Sequence, residues 1–238
     1  MQEQVYDTLR AKAKQVVLLE RMATSVTLQT DKLEEMGVPE IVMAATLPGK
    51  DHLKKATRLA KKEVGSLLHG EAVDDFIQET PGLSQAAILF LGLVPPLTDF
   101  PNPAKLWKWC GLHVQNGKAP SRVKGEKTKW SPFLKAFTVM RLGKGATTVK
   151  ECPYRDVYLR RRERTRETHP VMLEKGAGCP TCDKAHDHPK NPDCARFGGP
   201  HWSLGHQYVD ALRVTAKAIV LDLWRIENGQ EPRYKYER

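Results

Sequence analysis

Two groups of side chains in the 238-residue sequence could do chemistry. The first is Cys179-Pro180-Thr181-Cys182, followed by His186, His188, Cys194, His201 and His206. Two thiolates two residues apart can form one edge of a tetrahedron around zinc, because the turn between them directs both sulfurs inward. The remaining ligands must come from this His and Cys supply, with His186 or His188 and Cys194 favoured. The stretch is rich in Gly, Pro and Asp and poor in apolar residues. A bound metal, worth about 10 to 16 kcal/mol in small zinc modules, would supply stability that a core cannot. A redox C-x-x-C is the alternative, but no strand-then-helix setting surrounds it. Nothing marks an open position with a general base, so the expected cofactor is a structural Zn2+.

The second group is the run Gly117 to Trp130, GKAPSRVKGEKTKW, in which Lys118, Arg122, Lys124, Lys127 and Lys129 face a single acid. Glycines let a backbone approach such a loop, cations contact phosphate, and Trp130 offers a stacking surface. Further along, Tyr154 to Arg166 reads YRDVYLRRRERTR, with Arg160, Arg161 and Arg164 as candidate partners for phosphate oxygens. The alternative for that run is an exposed helix with its arginines in solvent.

These residues need elements to hold them, and the apolar spacing supplies helices. Val5, Leu9, Val16, Leu19, Ala23, Val26 and Leu33 recur at three, four and seven residues, which predicts an amphipathic helix from Gln2 to about Met36. Gly37-Val38-Pro39 stops it, and Pro48-Gly49 precedes a second helix capped by Asp51 and carrying Leu53, Ala56, Leu59, Ala60, Val64 and Leu67. The two would pack antiparallel as a coiled-coil-like hairpin, serving as a spacer or homo-oligomerisation surface, or simply covering the core downstream. Thr80-Pro81-Gly82-Leu83 then joins two apolar segments by a cheap turn. This is the pattern of a helix-hairpin-helix, in which Thr80, Pro81, Gly82 and a capping Ser84 would face a backbone phosphate. An ordinary helical hairpin has the same pattern. Asn102-Pro103 opens a short helix that Gly111 closes, and Ser131-Pro132 opens another carrying Phe133, Leu134, Phe137, Val139, Met140 and Leu142 as core, ending at Gly143 and Gly145. A long core helix, Leu204 to Ile226, closes the chain.

The order PGLS, apolar helix, F-x-x-P-x-x-L-x-x-W-C-G-L, basic loop and amphipathic helix, from Ile77 to Arg141, resembles the C-terminal transposase domain of the DEDD-type insertion-sequence recombinases. That family includes the pilin-gene invertase Piv and the bridge-RNA-guided transposases. The resemblance implies a helical domain acting on DNA. It also implies an N-terminal RuvC-like domain with four metal-binding acids, for which the helical residues before the hairpin leave no room, and a serine nucleophile in a Ser-Gly pair. Asn116-Gly117 stands where that pair would align, and an amide cannot form the covalent DNA link; Ser121 could substitute if the loop were shifted.

The expected fold is therefore mainly α: a helical hairpin over residues 1–70, then a helix-hairpin-helix and helical domain over 71–238 with a zinc loop at 176–206. A formal net charge of +10 and a pI near 9.4 point to a polyanionic partner, DNA or RNA. No 18-residue apolar window and no charged-then-apolar leader are present, and the five cysteines suit a reducing compartment. The expectation is a cytoplasmic or nucleoid-associated DNA-binding protein without a complete catalytic site of its own. The alternatives are an active recombinase using Ser121 or a RuvC-like partner chain, and a phage or mobile-element interaction protein.

Overall fold

The computed structural model describes residues 3–36, 47–68, 71–115, 117, 119–122, 125, 127–170 and 202–236. All regular elements among them are helical, as the 3.6-residue apolar spacing requires. They fall into two compact units: Met1–Glu79 with Ser84–Asp99, and Thr80–Leu83 with Phe100–Arg238.

The first unit holds α1 (Glu3–Glu35), α2 (Leu47–Ser66), α3 (Ala72–Glu79), α4 (Ser84–Leu93) and a 3-10 turn at Leu97–Asp99. Leu9, Ala13 and Val16 of α1 and Ala60 and Val64 of α2 are buried, each large aliphatic worth about 1.5 to 3 kcal/mol. Salt bridges Lys12–Glu63 at 2.7 Å and Lys61–Glu20 at 2.8 Å link the two helices in an antiparallel register. Leu59, expected on the buried face, is 51% exposed. The second helix also begins four residues before its expected cap at Asp51. The division between units comes at Asp99 rather than residue 70, because α4 is a core helix of this unit. Ala87 to Leu91 are all buried, and a methyl group on Gly92 would lie 2.5 Å from Ala13 Cβ and 2.8 Å from Leu9 O.

The second unit holds α5 (Pro103–Trp109), α6 (Pro132–Phe137), a π-helical stretch at Thr138–Gly143, α7 (Lys144–Thr148), α8 (Pro153–Thr168) and α9 (Leu204–Glu227). Both predicted starts are present. Asn102 accepts a hydrogen bond from Lys105 N–H at 3.1 Å and Ser131 one from Leu134 N–H at 3.2 Å, each with Pro at the next position. Gly111 closes α5 with φ +66°. The helix from Pro132 does not end at Gly143 as expected. Gly143 instead lets the π-helical stretch approach α9, for its missing Cβ would fall 2.6 Å from Leu212 O. Leu212, Ala216, Ile219, Val220 and Leu223 of α9 are completely buried. The polar Asp222 is satisfied in that core by Tyr154 Oη at 2.8 Å and by the N–H groups of Arg233 and Tyr234.

Candidate nucleic-acid interface

The basic loop leaves from α5 and returns to α6, and its described ends are pinned. Lys135 Nζ donates to Pro120 O, Ser131 N–H donates to Trp109 O at 3.2 Å, and Thr128 Oγ1 donates to Trp130 O at 2.8 Å. Between these anchors Ser121, Arg122, Lys127 and Lys129 are exposed, while Asn116, Lys118 and Lys124 lie outside the described residues. Trp130 is seated on Gly111, whose absent Cβ would meet its Cε3 at 2.5 Å, and Lys135 Nζ lies 5.2 Å from its ring centroid.

Beside the loop the structure assembles cations that sequence spacing did not bring together. Lys217 Nζ sits 4.2 Å from the centroid of the Trp107 ring, and the Trp107 indole N–H donates to Lys217 O at 3.1 Å. Partial burial, then the Arg213 guanidinium, lowers the pKa of both Lys135 and Lys217. Burial, then Lys108, Lys135 and Lys217, lowers that of His113. Every charge that registers on this imidazole is positive. Lys108 of α5, Lys135 of α6 and Lys217 of α9 thus all act on one imidazole, while Arg213, paired with Asp210, acts on Lys135 and Lys217. The available signal was Lys217 alone within the apolar run Ala216 to Val220, which reads as a solvated position until α5 is placed against it.

The other expected contacts divide. In the hairpin, Thr80 is buried and Leu83 N–H closes the turn on Thr80 O at 3.3 Å. A Cβ on Gly82 (φ +86°) would lie 3.3 Å from both Ala146 Cα and Gly145 O. That side of the glycine therefore meets protein backbone where a phosphate was expected. Pro81 is half-buried, and the Ser84 side chain lies outside the described residues.

On α8, Tyr154, Val157 and Tyr158 are buried, and Arg161 is not free for phosphate. Its Nε holds Asp210 Oδ2 at 2.6 Å, and Arg213 Nη2 holds Oδ1 at 2.9 Å. Burial pushes the Asp210 carboxyl up, but the hydrogen bonds from Arg213 and Arg161 outweigh it and hold the pKa below the ordinary aspartate value. Arg162 donates to Tyr158 Oη at 3.3 Å and Arg160 Nε to Asp156 O at 3.3 Å, while Arg160 and Arg164 remain exposed.

Cys179, Cys182, His186, His188, Cys194 and His201 lie outside the described residues. Among the described residues no group of three or more His, Cys, Asp or Glu could hold a metal ion. What is described is the frame around that segment. Trp202 N–H donates to Pro170 O at 3.1 Å, and the Trp202 ring stacks on His169 at 3.9 Å and on His206 at 4.3 Å between centroids.

A pocket of about 280 Å³ opens at the root of the basic loop, with Ala119, Trp130, Met140, Val209 and Arg213 among its walls. Met140, expected in the core, is 46% exposed and lines this opening. Among the described residues no helix is long and apolar enough to cross a membrane. No protein-family model, no curated protein and no solved structure matches the chain.

Proposed function

We propose that the second unit binds nucleic acid through its phosphates, using Lys108, Lys135 and Lys217 together with Arg122, Lys127 and Lys129 of the loop. The observation that carries this is the cation cluster around His113, an imidazole whose proton affinity is lowered by burial and then by Lys108, Lys135 and Lys217, a concentration of positive charge that a polyanion would relieve. Phosphate contacts position a protein without reading bases, so binding selects strand structure more than sequence. Branched or duplex DNA is the first ligand to test, in keeping with the resemblance to the transposase domain. A structured RNA of equal length is the comparison, because charge alone does not separate them.

Fluorescence anisotropy with labelled duplex, four-way junction and RNA hairpin tests this function. Binding to at least one of them, weakened about tenfold or more in the Lys135→Gln/Lys217→Gln variant, is expected. No binding at low salt would remove the proposal.

The recombinase alternative rests on Ser121, which is exposed on the loop beside the anchored Pro120. A suicide substrate would then give a covalent protein–DNA adduct that Ser121→Ala abolishes. Exposed Leu18, Met22 and Leu28 on α1 support a homo-oligomer formed through the first unit, which light scattering would reveal as a mass above 26.9 kDa. A structural zinc held by Cys179, Cys182, Cys194 and His186 or His188 completes the proposal. It predicts about one zinc per chain by atomic emission after purification without added metal, and loss of that zinc in Cys179→Ser/Cys182→Ser.

A further inference from the structure

We infer that the pocket at the root of the basic loop receives a single unpaired nucleobase of the bound strand. This deepens the proposed function and rests on it. Ala119 and Trp130 both line the pocket, so the loop enters and leaves at its mouth, with Arg122, Lys127 and Lys129 exposed between them. A strand whose phosphates lie on those cations has its bases within reach of the opening.

The walls are suited to a flat, largely apolar group. Val139 and Ala136 come from the helix after the loop, Val209 comes from α9, and the Trp130 indole supplies a π surface. The Trp130 ring is fixed from behind by Gly111 and Lys135, so it is positioned before any ligand arrives. At about 280 Å³ the space lies at the small end for ligand sites, which suits one ring system better than a larger cofactor. His206 and Arg213 also line it and place polar groups where a base edge would need hydrogen-bond partners. Their neighbour Asp210 already accepts from two arginines, which fixes the Arg213 side chain. An apolar slot with a stacking ring beside exposed cations is the arrangement that single-stranded nucleic-acid sites use. An aromatic side chain of a partner protein would also suit the slot, but it would leave the adjacent cations without a role.

The test uses the full-length protein and a short single strand carrying one 5-iododeoxyuridine, with binding followed by anisotropy and contact by ultraviolet cross-linking and peptide mapping. Cross-links to Trp130 or Met140 are expected. Two variants fill the slot from opposite walls at surface positions, Ala136→Phe and Val209→Phe. Each should abolish the cross-link and weaken single-strand binding about tenfold while leaving fully paired duplex binding within about twofold. Strand binding with cross-links only outside the pocket, or cross-linking retained in both variants, would overturn the base slot and leave phosphate binding standing. Absence of any nucleic-acid binding would overturn both. If neither variant folds by circular dichroism, the wild-type cross-link map decides alone.

Discussion

Asp210 is the residue on which the candidate site turns, because its two oxygens hold Arg161 of α8 and Arg213 of α9 at once. Removing the charge leaves two guanidinium groups facing each other with little water to separate them. Asp210→Asn should therefore cost about 3 kcal/mol in urea unfolding at neutral pH. The sign with pH follows from the depressed folded pKa. The stabilisation is complete above the unfolded aspartate value, about 4, and is lost as pH falls below it. Wild type should thus lose stability more steeply than Asp210→Asn as pH falls below about 4 and through the depressed folded pKa, and parallel curves would show the triad to be weak. Cysteine chemistry offers a second check. Burial pushes the Cys110 thiol up to about 12 and raises Cys152 as well, despite the opposing N–H groups of Tyr154 and Arg155. Iodoacetamide at pH about 8 should leave both unmodified in the native protein and label both in denaturant; rapid native labelling of Cys110 would contradict its burial.

At the scale of elements, the caps Asn102 and Ser131 and the closing Gly111 were legible, whereas Asp51 and Gly143 were not. Asn102-Pro103 and Ser131-Pro132 start helices for local reasons, an acceptor side chain and a preset φ, and local reasons can be read from a sequence. Gly143 looked like a terminator but, like Gly92, stands where two helices touch, which depends on partners distant in sequence. Gly143→Ala would drive its methyl group into the Leu212 carbonyl of α9 and should cost about 2 kcal/mol, whereas Gly117→Ala, with open space around it, should cost only about 1 kcal/mol for its positive φ. Thermal unfolding of the pair decides the point: equal losses would mean that the contact with α9 is loose. The helix-hairpin-helix pattern illustrates the same limit. Pro81-Gly82 does make the turn, yet which surface the turn meets is set by Gly145 and Ala146, far along the chain.

For the whole molecule, net charge points to a polyanion as the partner to test and says nothing of the surface. The loop cations were visible as a run, and those among the described residues, Arg122, Lys127 and Lys129, are exposed. Lys108, Lys135 and Lys217 were invisible as a group because three different helices, α5, α6 and α9, bring them together. Conversely, the densest arginine run, Arg160 to Arg166, contributes Arg161 to internal structure through Asp210. The cluster around His113 is therefore the centre of the proposed interface, with exposed Arg160 and Arg164 of α8 still open to phosphate.

The most direct measurement of that claim is the slope of log binding constant against log salt for a duplex, compared between wild type and Lys108→Gln/Lys217→Gln. About six phosphate contacts predict a slope near −5 for wild type, and loss of two cations should make it shallower by about two units. A wild-type slope near zero, or one that the double variant leaves unchanged, would contradict the account.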